Sequence, residues 1–280
     1  MAAMADAPDP IARVAGLFDA LSATYDAVGV DFFAPIADRL LEAMPPRSGE
    51  RWLDVGCGRG AVLLPAARAV GATGRVTGID ISPGMVEQAG RLAAEAGLDN
   101  VEVAVGDARD PEVDGPFDVV ASSLVLFFLP DPAAALGSWR SLLAPGGRLG
   151  VATFGPVDPR WEHVDDVFAP HLPPQMRDAR TTGKAGPFGS DAGMEVLVAD
   201  AGFADVRTVT HELPVRFADA EQWHAFTWSI GQRAMWLAVP EEQRGEVRAE
   251  AERRIASYAD ADGSVTFTQN VRYTLASRPA

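Results

Sequence analysis

From Arg51 to Phe154 short apolar runs are separated by stretches of helical periodicity. The runs read RWLDVG, RVTGIDI, VEVAVGD, FDVVASS and RLGVATF, with helices predicted near 60–70, 83–96 and 132–143. Strands that are apolar nearly throughout are buried on both faces, and helices between them are the crossovers that parallel pairing needs. This alternation predicts an α/β fold: a doubly wound, mostly parallel sheet with helices on both faces. Ahead of it, 11–28 places Ile11, Val14, Leu17, Phe18, Leu21 and Tyr25 at helical spacing. Ile36, Leu40 and Met44 repeat the pattern before Pro45-Pro46 stops it. Residues 1–45 therefore read as an N-terminal helical cover and 46–280 as the main domain. Within that domain, 156–190 is rich in proline, glycine and charge, and reads as a lid-like connection with one short helix around Trp161 to Phe168. A C-terminal helical insertion is expected over 219–259, between a strand in VRTVTHELPVRF and a final antiparallel strand in VTFTQNVRYTLAS.

The strongest local signal is Leu53-Asp54-Val55-Gly56-Cys57-Gly58-Arg59-Gly60, at the end of the first strand and the mouth of a helix. Glycines at 56, 58 and 60 permit a tight turn and close approach of a ligand. Two details argue against a dinucleotide. The spacing is G-x-G-x-G rather than G-x-G-x-x-G, and Asp54 stands two residues before the first glycine, where it would repel a pyrophosphate and attract an ammonium group. About twenty residues on, Asp80 ends the second strand where an acid accepts hydrogen bonds from ribose hydroxyls. Asp107 ends the third strand at the same edge of the sheet.

Taken with FDALSATYD, GIDISPGM, GDARD, FDVVASSLVLFFLPDP and LLAPGGRLGVATF, these residues resemble the class I S-adenosylmethionine-dependent methyltransferases, and in particular the small-molecule enzymes of the ubiquinone and menaquinone-biosynthesis type. The resemblance covers roughly 15–155. It implies a Rossmann-like methyltransferase fold, S-adenosyl-L-methionine as cofactor and S-adenosyl-L-homocysteine as product. It further implies that Asp54, Gly56, Cys57 and Gly58 line the methionine moiety and that Asp80 holds the ribose. Ile81 and Met85 would then flank the adenine, Asp107 and Ala108 meet its edge, and Ser122 or Ser123 close the pocket. Relatives often carry a histidine pair where this chain has Phe127-Phe128, which points to a more apolar substrate mouth. The activity implied is methyl transfer to an O, N or C acceptor of a small, largely apolar or aromatic metabolite. Two rivals share the motif set: a protein that binds the same cofactor to assist a cyclisation or elimination without methyl transfer, and a nicotinamide oxidoreductase.

Tyr25, Phe127 and Trp161 are the residues expected to meet substrate, and His163 or Tyr25 to act as base if the acceptor must lose a proton. The remaining histidines, His171, His211 and His224, read as structural. Trp223, Phe226, Trp228 and Trp236 read as core or subunit contact, and 244–256 as a solvated charged face. Composition narrows the partners. With 24 basic and 39 acidic residues the net charge is −15, which repels nucleic acid and anionic membrane surfaces. The longest apolar run, 119–130, is too short to span a bilayer. One cysteine and four scattered histidines give no metal-ligand pattern. The acidic, proline-bearing start lacks the form of a signal peptide, so the expected setting is cytoplasmic, as a monomer or homodimer acting on a small molecule.

Overall fold

The computed structural model describes residues 10–173, 176 and 183–280. Residues 1–9 of the predicted cover, and 174, 175 and 177–182 of the predicted connection, lie outside the described residues. The strands are β1 (Arg51–Val55), β2 (Arg75–Asp80), β3 (Val101–Val105), β4 (Phe117–Ser123), β5 (Leu143–Val157), β6 (Ala204–Phe217) and β7 (Val265–Ser277). Among the described residues they form one seven-stranded sheet in the order β3-β2-β1-β4-β5-β7-β6. Pairing is parallel from β3 through β5, and β7 is inserted antiparallel to both β5 and β6. The winding direction reverses between β1 and β4, so a crevice opens outside the carboxyl ends of those strands, which is where ligands of open α/β sheets bind. β1 and β4 are central and buried on both faces, as the run of Leu53, Val55, Val119, Val120 and Ala121 requires.

Helix starts follow the local chemistry. α4 (Pro83–Glu95), α5 (Pro132–Leu142) and α6 (Pro159–Asp165) each open with proline after a serine or aspartate, whose side chain accepts a backbone N–H of the first turn. α7 (Asp191–Asp200) and α8 (Ala220–Ser229) are capped likewise by Ser190 and Asp219. α3 (Leu63–Val70) follows the glycine turn. α2 (Phe33–Ala43) buries Ile36, Ala37 and Leu40 against β5 and β7; each large side chain so removed from water contributes about 1.5–3 kcal/mol.

Two predicted elements differ. α1 spans Pro10–Leu21 and does not continue to residue 28, because beyond Leu21 the hydroxyls of Ser22 and Thr24 bond the carbonyls of Asp19 and Leu21, and Asp26 takes a left-handed φ of 53°. Tyr25 therefore sits in a turn rather than on a helix face. The Pro145-Gly146-Gly147 turn lies inside β5, as an irregularity where the pairing with β4 jumps from Phe117 and Leu143 to Val119 and Arg148.

The C-terminal insertion consists of α8, α9 (Arg233–Ala238) and α10 (Arg244–Ala256). Trp223, Phe226 and Trp236 are buried there, with the Phe168 ring 4.7 Å from Trp236. α10 is not wholly solvated: Val247, Ala251 and Ile255, four residues apart, form a buried stripe beneath a charged outer face.

Candidate functional site

The glycine turn after β1 is built by three residues in the left-handed region: Gly56 at φ 74°, Gly58 at φ 50° and Gly60 at φ 96°. Their neighbours differ. A β-carbon on Gly56 would come within 2.3 Å of Val125 Cγ2 and one on Gly60 within 2.9 Å of Leu64 Cγ, whereas one on Gly58 would meet nothing within 4 Å. Gly56 and Gly60 make room for protein; Gly58 faces open space. That space is a cavity of about 380 Å³ at the carboxyl ends of β1, β2, β3 and β4. The turn's own N–H groups are largely committed. Those of Gly56 and Cys57 donate to Ile79 O, that of Gly58 to Asp80 Oδ2 at 2.9 Å, and that of Gly60 to Cys57 O. A phosphate would find these donors already taken.

Strand ends bring three carboxylates to the cavity. Asp54, buried on β1, has an Oδ2 with no hydrogen-bond partner. Burial pushes it up to about 7, against the N–H of Leu63, with a further upward push from Asp80. Asp80 accepts the N–H of Gly58 at Oδ2 and that of Ser82 at Oδ1, both at 2.9 Å. Burial raises it also, and these backbone donors oppose the rise. Asp107 is held low by Arg109, whose guanidinium bonds it at 2.6 Å. Cys57 lines the cavity and is buried beside Gly78, and burial, Asp54 and Asp80 in that order push its thiol well up.

Ile81, Met85, Ala108 and Ser123 also line the cavity. Ser122 does not; its hydroxyl is buried and donates to Val55 O at 2.9 Å, tying β4 to β1. The far wall is apolar, formed by Ile11, Val14 and Phe18 of α1 with Tyr25, Phe33, Val125 and Phe128. Tyr25 stacks on Phe33 with ring centres 4.6 Å apart. Burial, and after it the carboxylates of Asp26 and Asp80, raise its phenol above the usual tyrosine range.

α1 is docked by Asp19, whose Oδ1 accepts Ser82 Oγ at 3.1 Å and Gly84 N at 2.8 Å at the start of α4. Sequence spacing marked Ile11, Val14 and Phe18 as a helix face; only the docking shows what that face covers. Leu124, at φ 61°, and Val125 form the exit from β4, a strained bend with no signature in the sequence.

Three expected residues stand elsewhere. Phe127 is buried against Phe154 at 5.3 Å, and its neighbour Phe128 is the one on the cavity wall. Trp161 is 6% exposed and packs among Phe32, Phe217 and Phe267, behind the wall. His163 on α6 bonds Tyr258 through Nδ1 at 2.9 Å and does not line the cavity. Among the described residues the lining comes from positions 11–129 alone, so the parts of 156–190 that are described, and 219–259, stand outside it. Those same residues hold no group of three or more metal-ligating side chains.

Comparison with known proteins gives four findings. A family model described as a methyltransferase domain matches residues 46–211. Nocamycin O-methyltransferase of Saccharothrix syringae is 41% identical over 279 residues, covering 94% of this chain and 98% of that protein. Aklanonic acid methyltransferase DauC of Streptomyces sp. (strain C5) is 42% identical over 174 residues, 59% of this chain and 79% of that one. Among solved structures, the YcgJ protein of Bacillus subtilis superposes with a TM-score of 0.57 at 16% identity, covering 88% of this chain and 99% of its own, a likeness of fold.

Proposed function

Because the chain belongs to the S-adenosylmethionine-dependent methyltransferases, we propose that the cavity beyond β1, β2, β3 and β4 is its cofactor and acceptor site. The acceptor is read as a small, largely apolar or aromatic molecule methylated on oxygen. The unpartnered, buried Oδ2 of Asp54 carries this reading, because such an oxygen in a cavity wall calls for a cationic donor, and an amino-acid ammonium supplies one. The committed N–H groups of the turn speak against the nicotinamide rival in the same place. The names of the two relatives, an O-methyltransferase and a methyltransferase of an organic acid, support an oxygen acceptor. The net charge of −15 favours such a molecule over nucleic acid. The same reading takes the chain to work in the cytoplasm as a monomer or homodimer; no helix of the described residues is long and apolar enough to cross a membrane.

S-adenosylmethionine, when bound, supplies a methyl group on a sulfonium, which leaves without needing a proton. Asp54 and the glycine turn would hold its methionine end, Asp80 its ribose hydroxyls, Ile81 and Met85 the faces of the adenine, and Asp107 with Ala108 the adenine edge. Phe18, Phe33 and Phe128 exclude water from the acceptor side and orient a flat apolar molecule against them. No histidine or lysine lines the cavity among the described residues, and Tyr25 retains its proton. The side chains then act by alignment and desolvation, on an acceptor oxygen that arrives ionised or releases its proton to water.

Titration calorimetry with S-adenosylhomocysteine tests the site. Asp80→Ala should weaken binding by about 1–3 kcal/mol, the worth of charge-assisted hydrogen bonds to hydroxyls. Unchanged affinity would remove Asp80 from the cofactor site, and absence of affinity in the unaltered chain would overturn the reading of the cavity.

A further inference from the structure

The cavity is small for what it must hold. Its volume of about 380 Å³ lies near the lower end of the roughly 300–1,000 Å³ that a pocket offers a single drug-sized ligand. A methyltransferase takes a cofactor and an acceptor together, so the acceptor needs room that the wall must give. The two halves of that wall differ in what stands behind them. Phe33 stacks on Tyr25 and meets Phe32 edge-on at 4.9 Å, and Phe32 is itself packed against Phe226 at 5.2 Å and Trp161 at 6.5 Å. The turn between Tyr25 and Phe33 is strapped as well by Gln222, whose Nε2 donates to Val28 O and Gly29 O at 3.2 Å. Rings packed in this way do not move without strain. Phe18 is held differently. Its ring meets Tyr25 and Phe128 edge-on, at 5.9 and 5.7 Å, and both of these belong to the wall itself. Beyond it, outside the lining, stands Gly231 in the connection between α8 and α9. A β-carbon on Gly231 would lie 3.8 Å from Phe18 Cζ and, its chain neighbours apart, within 4 Å of no other described atom. The connection is fixed in place, since the next residue, Gln232, donates to Asp165 Oδ1 at 2.7 Å. Gly231 is not among the residues with a left-handed φ, so nothing in its backbone calls for a glycine.

We propose that Gly231 is a specificity-determining residue for the acceptor: carrying no side chain, it leaves the Phe18 ring room to swing outward, and the distance the ring can travel sets the largest acceptor admitted beside the cofactor. This assignment rests on the reading of the cavity given above and deepens it. The C-terminal insertion contributes no described lining residue, yet it chooses the acceptor at second hand, through Phe18. A ring that turns aside while Phe33 and Phe128 stay in place opens a flat slot between aromatic faces, which suits an acceptor of fused rings.

Fluorescence titration of the full chain, saturated with S-adenosylhomocysteine, tests this with 2-naphthol and 2-anthrol, two probes that differ by one fused ring. The unaltered chain should bind both. Gly231→Leu, whose side chain fills the space behind Phe18, should weaken 2-anthrol about tenfold or more and 2-naphthol by no more than about threefold. Gly231→Ala, whose β-carbon makes only ordinary contact with the ring, should weaken 2-anthrol about threefold. Affinity for S-adenosylhomocysteine, read by calorimetry, should stay within about twofold in both variants. Adding Phe18→Leu to Gly231→Leu should recover 2-anthrol binding, because the smaller side chain no longer needs the filled space. Thermal melts show whether each variant keeps its fold, and Gly231→Ala carries the test if Gly231→Leu does not. Equal weakening towards both probes and S-adenosylhomocysteine would make Gly231 a structural residue and overturn the proposal. So would unchanged discrimination between the probes in both variants, or a double variant that recovers nothing. A chain that binds S-adenosylhomocysteine but neither probe would overturn the proposal and leave the cofactor site standing, whereas one that binds no S-adenosylhomocysteine would overturn the reading of the cavity itself.

Discussion

Asp54 lies in the strand next to Asp80, yet the two carboxylates meet different surroundings. Asp80 is satisfied by two backbone N–H groups, while Asp54 keeps one oxygen bare in a buried position. Burial raises Asp54 from the usual value near 4 to about 7. Across that window the folded, ligand-free chain holds a proton that the unfolded chain has released. The stability this group contributes is therefore full at low pH and is lost as pH rises through about 7. An ammonium ligand favours the carboxylate form, so binding must expel that proton. Affinity for S-adenosylhomocysteine should rise as pH climbs through about 7 and level off above it, with proton release visible as a dependence of calorimetric heat on buffer ionisation. Asp54→Asn should weaken binding and flatten the profile. A profile that keeps its slope in the variant would assign the proton to another group.

At the level of elements, the glycine turn and α1 are two devices with separable consequences. Gly56→Ala drives a β-carbon into Val125 and forces a left-handed residue. It should lower stability by about 1–3 kcal/mol, read as a fall in melting temperature. Gly58→Val meets no protein atom within 4 Å of its β-carbon, so most of its cost should appear as lost S-adenosylhomocysteine affinity, with only the backbone strain of about 1–2 kcal/mol felt by the fold. Equal losses of stability with normal binding in both variants would make the turn a purely structural feature. α1 is bonded to the start of α4 by Asp19, through Ser82 and Gly84. Asp19→Ala should free the helix that carries Ile11, Val14 and Phe18. The expected signs are faster proteolysis near the N-terminus and weaker ligand binding, with the melting of the sheet changed little.

Across the whole molecule, the C-terminal insertion supports the apolar wall of the cavity from behind. Gln222 donates to the carbonyls of Val28 and Gly29, and Phe226 and Trp161 both pack on Phe32, whose neighbour Phe33 faces the cavity. Trp161→Ala should destabilise the chain by about 3–5 kcal/mol through the void it leaves in an aromatic cluster, with any change in acceptor KM following from movement of Phe33. His163 bonds Tyr258 away from the cavity, so His163→Ala should leave methyl transfer and its pH profile unchanged in a turnover assay; a loss that recovers at high pH would restore it as a base.

Local chemistry was enough to read much of this protein. Strand identity, the helices near 83–96 and 132–143, the glycine turn, and three acids at one sheet edge are all written in short-range pattern, because burial on both faces, helical spacing and left-handed φ each demand particular residues at particular positions. What tertiary packing alone decided was direction and company. Of the Phe127-Phe128 pair the sequence pointed to Phe127 as the ring that meets substrate, but a short 3-10 turn at Leu126–Phe128 sends that ring into the core and its neighbour to the cavity. Ser122 and Ser123 alternate across β4, so one bonds the neighbouring strand and the other lines the cavity. His163 reads as lid chemistry in sequence and bonds Tyr258 away from the cavity in the structure, since nothing in its neighbours in the chain specifies the partner it packs against. The bare oxygen of Asp54 is visible only when every other donor and acceptor around it has been placed, because an unsatisfied group is a property of the packed surroundings and not of the residue itself.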